Sequence, residues 1–323
     1  PMKTSEITGV KTAHGEAHGW FVGCPLTPRQ MFDLPERKVM RKITKAAKLA
    51  ERLGARIVGL GALTSVVGDA GVTVARNVNI AVTTGNSYTV ATALEGAREA
   101  ARLMGTDPAD AEVAVVGATG SIGSVCARIL AREVRALNLV ARQKEKLDEL
   151  ARLIAGESGL FPRVSTDVSS ALTGADIVVT VTSAVDTVIE PGYLKPGAVV
   201  CDVARPRDVS KKVAEARRDV LVIEGGVVEV PGQVEFNFNF GFPRGTSYAC
   251  MAETMILAME ERYENFSLGR DLSLERVEEI STLAKKHGFR LAGFRSFERA
   301  VTAEEIQRVQ EEAYNKKSAR SSR

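Results

Sequence analysis

The chain has 323 residues, 45% of them hydrophobic and 26% charged, with a net charge of +3. That balance matches folded globular domains, and the length exceeds what one core usually organises, so two domains are expected and a disordered chain is excluded. No run of about 18 apolar residues occurs, the N-terminus has no secretory pattern, and +3 is too small to imply nucleic-acid binding; we expect a cytoplasmic protein with no transmembrane segment and no nucleic-acid partner.

From the N-terminus, Ile7 to Val22 alternates with glycine breaks and is compatible with a hairpin, and Thr27 to Leu53 is helical with an interruption near Pro35. Lys38, Arg41, Lys42, Lys45, Lys48 and Arg52 fall opposite Val39, Ile43, Ala46, Ala50 and Leu53. This is a solvated helix face or a landing surface for an acidic carrier. Arg56 to Leu60 and Asn79 to Val82 predict two strands of a smaller α/β unit. The turn Thr83 to Thr89 leads from strand to helix, so Thr83, Gly85, Asn86 and Ser87 are candidates for a substrate cleft, though Asn86 or Ser87 capping the helix explains the same residues.

Glu112 to Gly117, Leu137 to Ala141, Asp176 to Thr182, Ala198 to Asp202 and Val220 to Glu224 are short apolar runs separated by helix-capable or turn-rich segments. Such alternation predicts a doubly wound parallel sheet, a Rossmann domain within an α/β protein. The first run ends in Gly117-Ala118-Thr119-Gly120-Ser121-Ile122-Gly123, which opens a helix expected from Ser121 to about Val134. Gly117 and Gly120 let the backbone approach a pyrophosphate, Thr119, Ser121 and Ile122 lie on the loop and helix start, and Gly123 allows close packing of the helix. The spacing is GxxGxxG rather than GxGxxG. At the end of the next strand, where an acid would select NAD, stands Arg142 followed by Lys144 and Lys146. A guanidinium matches a 2′-phosphate, so the expected cofactor is NADPH. Thr182 and Ser183, at the carboxyl edge of the sheet, are further cofactor-binding candidates.

Past the sheet, Thr246 or Ser247 is an expected N-cap that puts Cys250 in the first turn of a helix running to about Tyr263. The helix dipole would there favour thiolate and make Cys250 a nucleophile; a packing cysteine explains the residue equally well. Cys24, Cys126 and Cys201 are expected to pack. No metal site is expected, because His14, His18 and His287 have no ligand spacing. Further helices are expected from Ser273 to His287 and from Ala303 to about Tyr314, then a frayed basic tail from Lys316 to Arg323. The expected division is a substrate domain over 1–105, a Rossmann domain over 106–245, and C-terminal helices over 246–323 that carry the nucleophile back to the substrate domain.

Taken together, GLGALTS (Gly59 to Ser65), TTGNSYT (Thr83 to Thr89), VVGATGSIGS (Val115 to Ser124), Val140 to Arg142, GGVVE (Gly225 to Glu229), YACMAE (Tyr248 to Glu253), ENFSLGR (Glu264 to Arg270) and KHGF (Lys286 to Phe289) resemble the cyanobacterial-type long-chain acyl-[acyl-carrier-protein] reductases and their bacterial relatives. The resemblance implies a two-domain, shikimate-dehydrogenase-like layout and NADPH-dependent reduction of a fatty acyl thioester to a fatty aldehyde. Its acyl-enzyme cysteine falls on Cys250, and the thioester would be carried by acyl carrier protein or coenzyme A. A homo-oligomer is compatible with this reading. The lead-in to the cysteine, Pro243 to Cys250 (PRGTSYAC), and the stretch Phe236 to Phe240 (FNFNF) depart from the cyanobacterial form. The alternatives are a shikimate-dehydrogenase-like NADP-dependent alcohol dehydrogenase, which needs no thiol, a glutamyl-tRNA reductase type, for which no long helical extension is present, and a non-catalytic NADPH-binding protein.

Overall fold

Strands that are apolar on both faces must be covered by helices on both faces. The computed structural model describes residues 1–184, 187–204, 207–239, 241–297 and 299–321; Phe240, Ser322 and Arg323 of the segments singled out above lie outside them. Two units emerge from interleaved segments: Pro1–Ala91 with Gly226–Ala292, and Thr92–Gly225 with Gly293–Arg323.

The second unit holds the predicted doubly wound sheet. Its six strands lie in the order Leu221–Glu224, Val199–Asp202, Ile177–Thr180, Glu112–Val116, Ala136–Val140 and Arg163–Ser165, all parallel. Strand order reverses between Glu112–Val116 and Ile177–Thr180, and in such sheets ligands collect outside the carboxyl ends at the reversal. Val113, Val115, Leu139, Val178 and Val200 are all but fully buried, which explains why these strands read as continuous apolar runs. The short edge strand Arg163–Ser165 escaped the sequence reading because it has three residues, none strongly apolar except Val164.

The C-terminal tail is corrected by the structure. The last helix runs Ala303–Ser321 instead of ending near Tyr314. Ala313 is buried, and Lys316 reaches the fully buried carboxylate of Asp219 at 2.7 Å, so tertiary contacts hold a segment that composition alone left free.

The first unit contains the expected parallel pair, Ile57–Gly59 beside Ala81–Thr83. The N-terminal hairpin is present as Met2–Thr12 and Gly15–Gly23, with Gly232–Glu235 added along its other edge. A further antiparallel sheet joins Thr246–Tyr248, Val227–Glu229 and Arg290–Leu291. The expected interruption near Pro35 is real: Thr27 and Gln30 form a capping box for the short helix Pro28–Asp33, Leu34 is extended, and Pro35 starts Glu36–Arg52. That longer helix buries Val39, Met40, Ile43, Ala46, Ala47 and Ala50 along one stripe. The helix Ala249–Met259 is apolar nearly all round and lies in a core with Ile57, Tyr88, Val228, Phe266 and Ile280.

Candidate functional site

In the second unit, the glycine loop leaves Glu112–Val116 at its carboxyl end. Gly117 has φ +83, a conformation other residues rarely adopt, and its Cβ position lies 2.9 Å from the Val181 carbonyl. A Cβ on Gly123 would overlap the Gly117 carbonyl, so glycine is required there for the helix Ser121–Leu130 to start so close to the strand. The Gly117 and Ala118 N–H groups donate to the Val140 carbonyl at 2.8 and 3.1 Å, tying the loop to the end of the neighbouring strand. Gly120 is the N-cap and offers no side chain to the first-turn N–H groups. Thr119, Ser121 and Ile122 are half-buried around them. Arg142 stands two residues beyond Val140, exposed, and no ion pair engages it among the described residues. An uncapped helix start, glycines that keep the loop bare, and a free guanidinium at the next strand end fit a phosphorylated nicotinamide dinucleotide.

Thr182 and Ser183 behave differently from one another. Ser183 is exposed. The Thr182 hydroxyl donates to Asp208, its N–H donates to the same carboxylate at 2.8 Å, and Thr180 donates to it at 2.5 Å. Asp208 is completely buried and thereby fixes the end of the strand that faces the glycine loop. Asp208 escaped the sequence reading because it lies 26 residues from Thr182 and only the sheet brings the two together.

In the first unit, Cys250 occupies the first turn of Ala249–Met259, as expected. The cap is corrected: Thr246–Tyr248 is a strand, and Tyr248 is the N-cap, with no side-chain cap bond. The two hydroxyls are used elsewhere, Thr246 donating to the Pro243 carbonyl at 2.7 Å and Ser247 to that of Tyr248 at 3.2 Å. The Ala249 N–H is taken by the Gly226 carbonyl at 2.7 Å. The N–H groups of Ala62, Met251 and Cys250 itself face the sulfur. Cys250 keeps part of its surface exposed.

The expectation of a thiolate near neutral pH is also corrected. Burial of the sulfur first, and then the Glu253 carboxylate, push the thiol up to about 11, outweighing the N–H donors that favour the anion. Cys126 is fully buried and pushed up to about 12, Cys201 donates weakly to the Ala93 carbonyl at 3.6 Å, and Cys24 is half-buried with its thiol raised by burial.

Glu253 was not singled out from the sequence, although it stands three residues after Cys250 in YACMAE. Its residue exposure is 0%. Its carboxylate accepts from the Thr83 hydroxyl and from the Tyr88 N–H at 2.8 Å, and Ser267 and the Gly85 N–H also face it. Thr83 and Gly85 therefore meet the cysteine helix, and Thr83, Gly85, Asn86 and Ser87 are all buried instead of lining an open surface. Ser87 lies inside the helix Asn86–Leu103 instead of ahead of it, and its hydroxyl accepts from the Ser267 hydroxyl at 2.7 Å. Gly85 has φ +75, and a Cβ there would overlap the backbone of Cys250. Only glycine lets this turn press on the cysteine.

The basic helix face is exposed at Lys38, Arg41, Lys42, Lys45, Lys48 and Arg52, and no ion pair engages these residues among those described. Among the described residues no three His, Cys, Asp or Glu side chains are grouped as metal ligands, and no helix is long and apolar enough to cross a membrane.

A family model described as shikimate / quinate 5-dehydrogenase matches residues 98–224. The long-chain acyl-[acyl-carrier-protein] reductase of Synechococcus elongatus is 32% identical over 304 residues, covering 90% of this chain and 87% of the relative. The aminotransferase PigE of Serratia sp. is 35% identical over 292 residues, covering 89% of this chain and 34% of that protein, so the chain spans about a third of PigE. Among solved structures, the Δ1-pyrroline-2-carboxylate reductase of Thermococcus litoralis superposes with a TM-score of 0.35 at 10% identity, covering 64% of this chain and 67% of that one.

Proposed function

We propose, from the premise that the chain belongs to the family of the Synechococcus long-chain acyl-[acyl-carrier-protein] reductase and is an NAD(P)-dependent oxidoreductase, that it reduces a fatty acyl thioester to a fatty aldehyde through an acyl group carried on Cys250. The observation that supports this most is the setting of Cys250: a partly exposed residue in the first turn of a helix, with backbone N–H groups facing its buried sulfur and Gly85 of the Thr83 to Ser87 turn pressed against it.

The sulfur attacks the carbonyl carbon, the bond to the carrier thiol breaks, and the acyl group stays on Cys250. The N–H groups of Ala62 and Met251 are the donors available to an oxyanion formed beside that sulfur. Bound at the glycine loop, NADPH would supply the hydride that takes a thioester carbonyl to the aldehyde level. The helix start at Ser121 and Ile122 would hold its pyrophosphate, and Arg142 its 2′-phosphate. Thr182 acts for the cofactor by positioning, since its hydroxyl is bound to Asp208, whereas Ser183 is free to reach a ribose. The thioester arrives on acyl carrier protein or on coenzyme A, and the exposed basic helix suits an acidic carrier.

Incubating the protein with an acyl thioester in the absence of NADPH should leave an acyl adduct on Cys250, read by peptide mass spectrometry. A fully active Cys250→Ala enzyme would end this reading. A second reading, an NADP-dependent alcohol dehydrogenase of the shikimate type, is supported by the family match over residues 98–224 and expects Cys250→Ser to keep its activity.

A further inference from the structure

We propose that Glu253 is the proton partner of Cys250: together with burial of the sulfur it favours the thiol in the resting protein, and it takes up that proton when the sulfur attacks. This rests on the thioester reading for its second half only. Both residues lie in the first two turns of Ala249–Met259, three positions apart, which places them on one face of the helix. Glu253 is fully buried, so its charge acts on the sulfur with little screening by water.

The surroundings of Glu253 suit both of its states. As a carboxylate it accepts from the Thr83 hydroxyl and the Tyr88 N–H. Once protonated it can donate to the Thr83 oxygen, because a hydroxyl both donates and accepts, while the Tyr88 bond to the other oxygen survives. Thr83 in turn accepts from the Gly85 N–H at 3.3 Å, and Gly85 packs directly on Cys250. A change of charge at Glu253 therefore reaches the cysteine both through the field and through this turn.

Several charged groups on the neighbouring elements are engaged elsewhere, while Glu278 and Lys285 of the helix Leu274–His287 are exposed on its surface. Glu260, at the far end of the same helix, pairs with Lys286 and His287; Glu16 pairs with Lys11, His18 with Glu6, and Glu229 with Arg290. Arg56 stacks over Tyr263. Burial raises Glu253 above the usual carboxylate range, which narrows the gap that a proton must cross from a thiol.

The step balances. The S–H bond of Cys250 breaks and its proton passes to Glu253; the sulfur forms a bond to the thioester carbonyl carbon; the carrier's C–S bond breaks, and the departing thiolate takes the proton back from Glu253.

The test measures iodoacetamide alkylation of Cys250 against pH in wild type, Glu253→Gln and Thr83→Val, with folding checked by circular dichroism. Removing the charge should move the alkylation midpoint down by about one pH unit, making labelling at pH 8 roughly tenfold faster. Thr83→Val, which removes a donor that favours the carboxylate, should shift it in the same direction by less, and it serves if Glu253→Gln fails to fold. Acyl transfer from a thioester without NADPH should meanwhile slow by about 100-fold in Glu253→Gln, the usual size of a lost proton acceptor. An unchanged alkylation midpoint in the folded variants overturns the coupling. Faster alkylation with undiminished acyl transfer overturns the proton-acceptor role. If wild type takes no acyl group from any thioester, the function reading fails by itself, while the alkylation shift still measures the pair.

Discussion

Two helix starts in this protein share one device and put it to opposite uses. Ser121–Leu130 and Ala249–Met259 both begin without a side-chain cap, so both leave first-turn N–H groups for another acceptor. At the first, glycines keep the approach bare and Arg142 stands exposed near the strand end beside it, which suits an anion that arrives from solution. At the second, the acceptor is the protein's own sulfur, and the surroundings are buried and carry Glu253. The contrast teaches that a helix N-terminus does not by itself set a charge. In the open setting it draws an anion; in the buried one, desolvation and a neighbouring carboxylate outweigh it, and the thiol rises to about 11 instead of falling.

The largest expected effect separates the two starts outright. Cys250→Ala should reduce aldehyde formation to background and leave NADPH binding unchanged, measured by product assay and by cofactor fluorescence titration. Next come the two glycines. Gly85→Ala should cost about 2–3 kcal/mol of stability through overlap with the Cys250 backbone and a strained φ, and alter thiol labelling; Gly123→Ala should cost a similar amount and weaken NADPH binding instead. Thermal unfolding together with the two ligand assays would break the comparison if either glycine disturbed both sites alike. A smaller effect is expected at Arg142→Asp, which should weaken NADPH about 10- to 100-fold and leave NADH nearly unchanged, as for a lost charged hydrogen bond. A wild-type preference for NADH in the same titration would remove Arg142 from the site.

The smallest effect lies away from both starts. Burial would raise Asp219, yet hydrogen bonds from Arg217 and Lys316 pull it down to about 2. Its folded value is below its unfolded one, so its contribution is present above pH ~4 and is lost as pH falls towards 2. Lys316→Ala should cost about 0.5–1 kcal/mol at pH 7, because the lysine side chain is 46% exposed, and the difference from wild type should vanish in unfolding curves taken near pH 2.

Much of the second unit was legible. Five of the six strands of its parallel sheet announced themselves because a sheet covered on both faces needs unbroken apolar runs, and the glycine loop because its backbone geometry admits few other residues. The first unit was less so. Its antiparallel strands Val227–Glu229, Gly232–Glu235 and Thr246–Tyr248 have three or four residues each and borrow their pairing from segments far along the chain. For the same reason Thr246 and Ser247 looked like caps: local pattern offered a hydroxyl before a helix, whereas pairing with Val228 and Glu229 drew them into a strand.

By itself the sequence determined the parallel sheet, the bare loop that suits a dinucleotide, and the position of a cysteine one turn into a helix. These follow from side-chain period, from glycine's missing Cβ and from short-range spacing, all of which act within a few residues. Tertiary structure alone decided that Asp208 anchors Thr182, that Lys316 holds the last helix to Asp219, and that Thr83, Gly85 and Tyr88 enclose Glu253 beside Cys250. The atoms that hold the buried Glu253 carboxylate come from 165 and 170 positions away, and no local pattern records them.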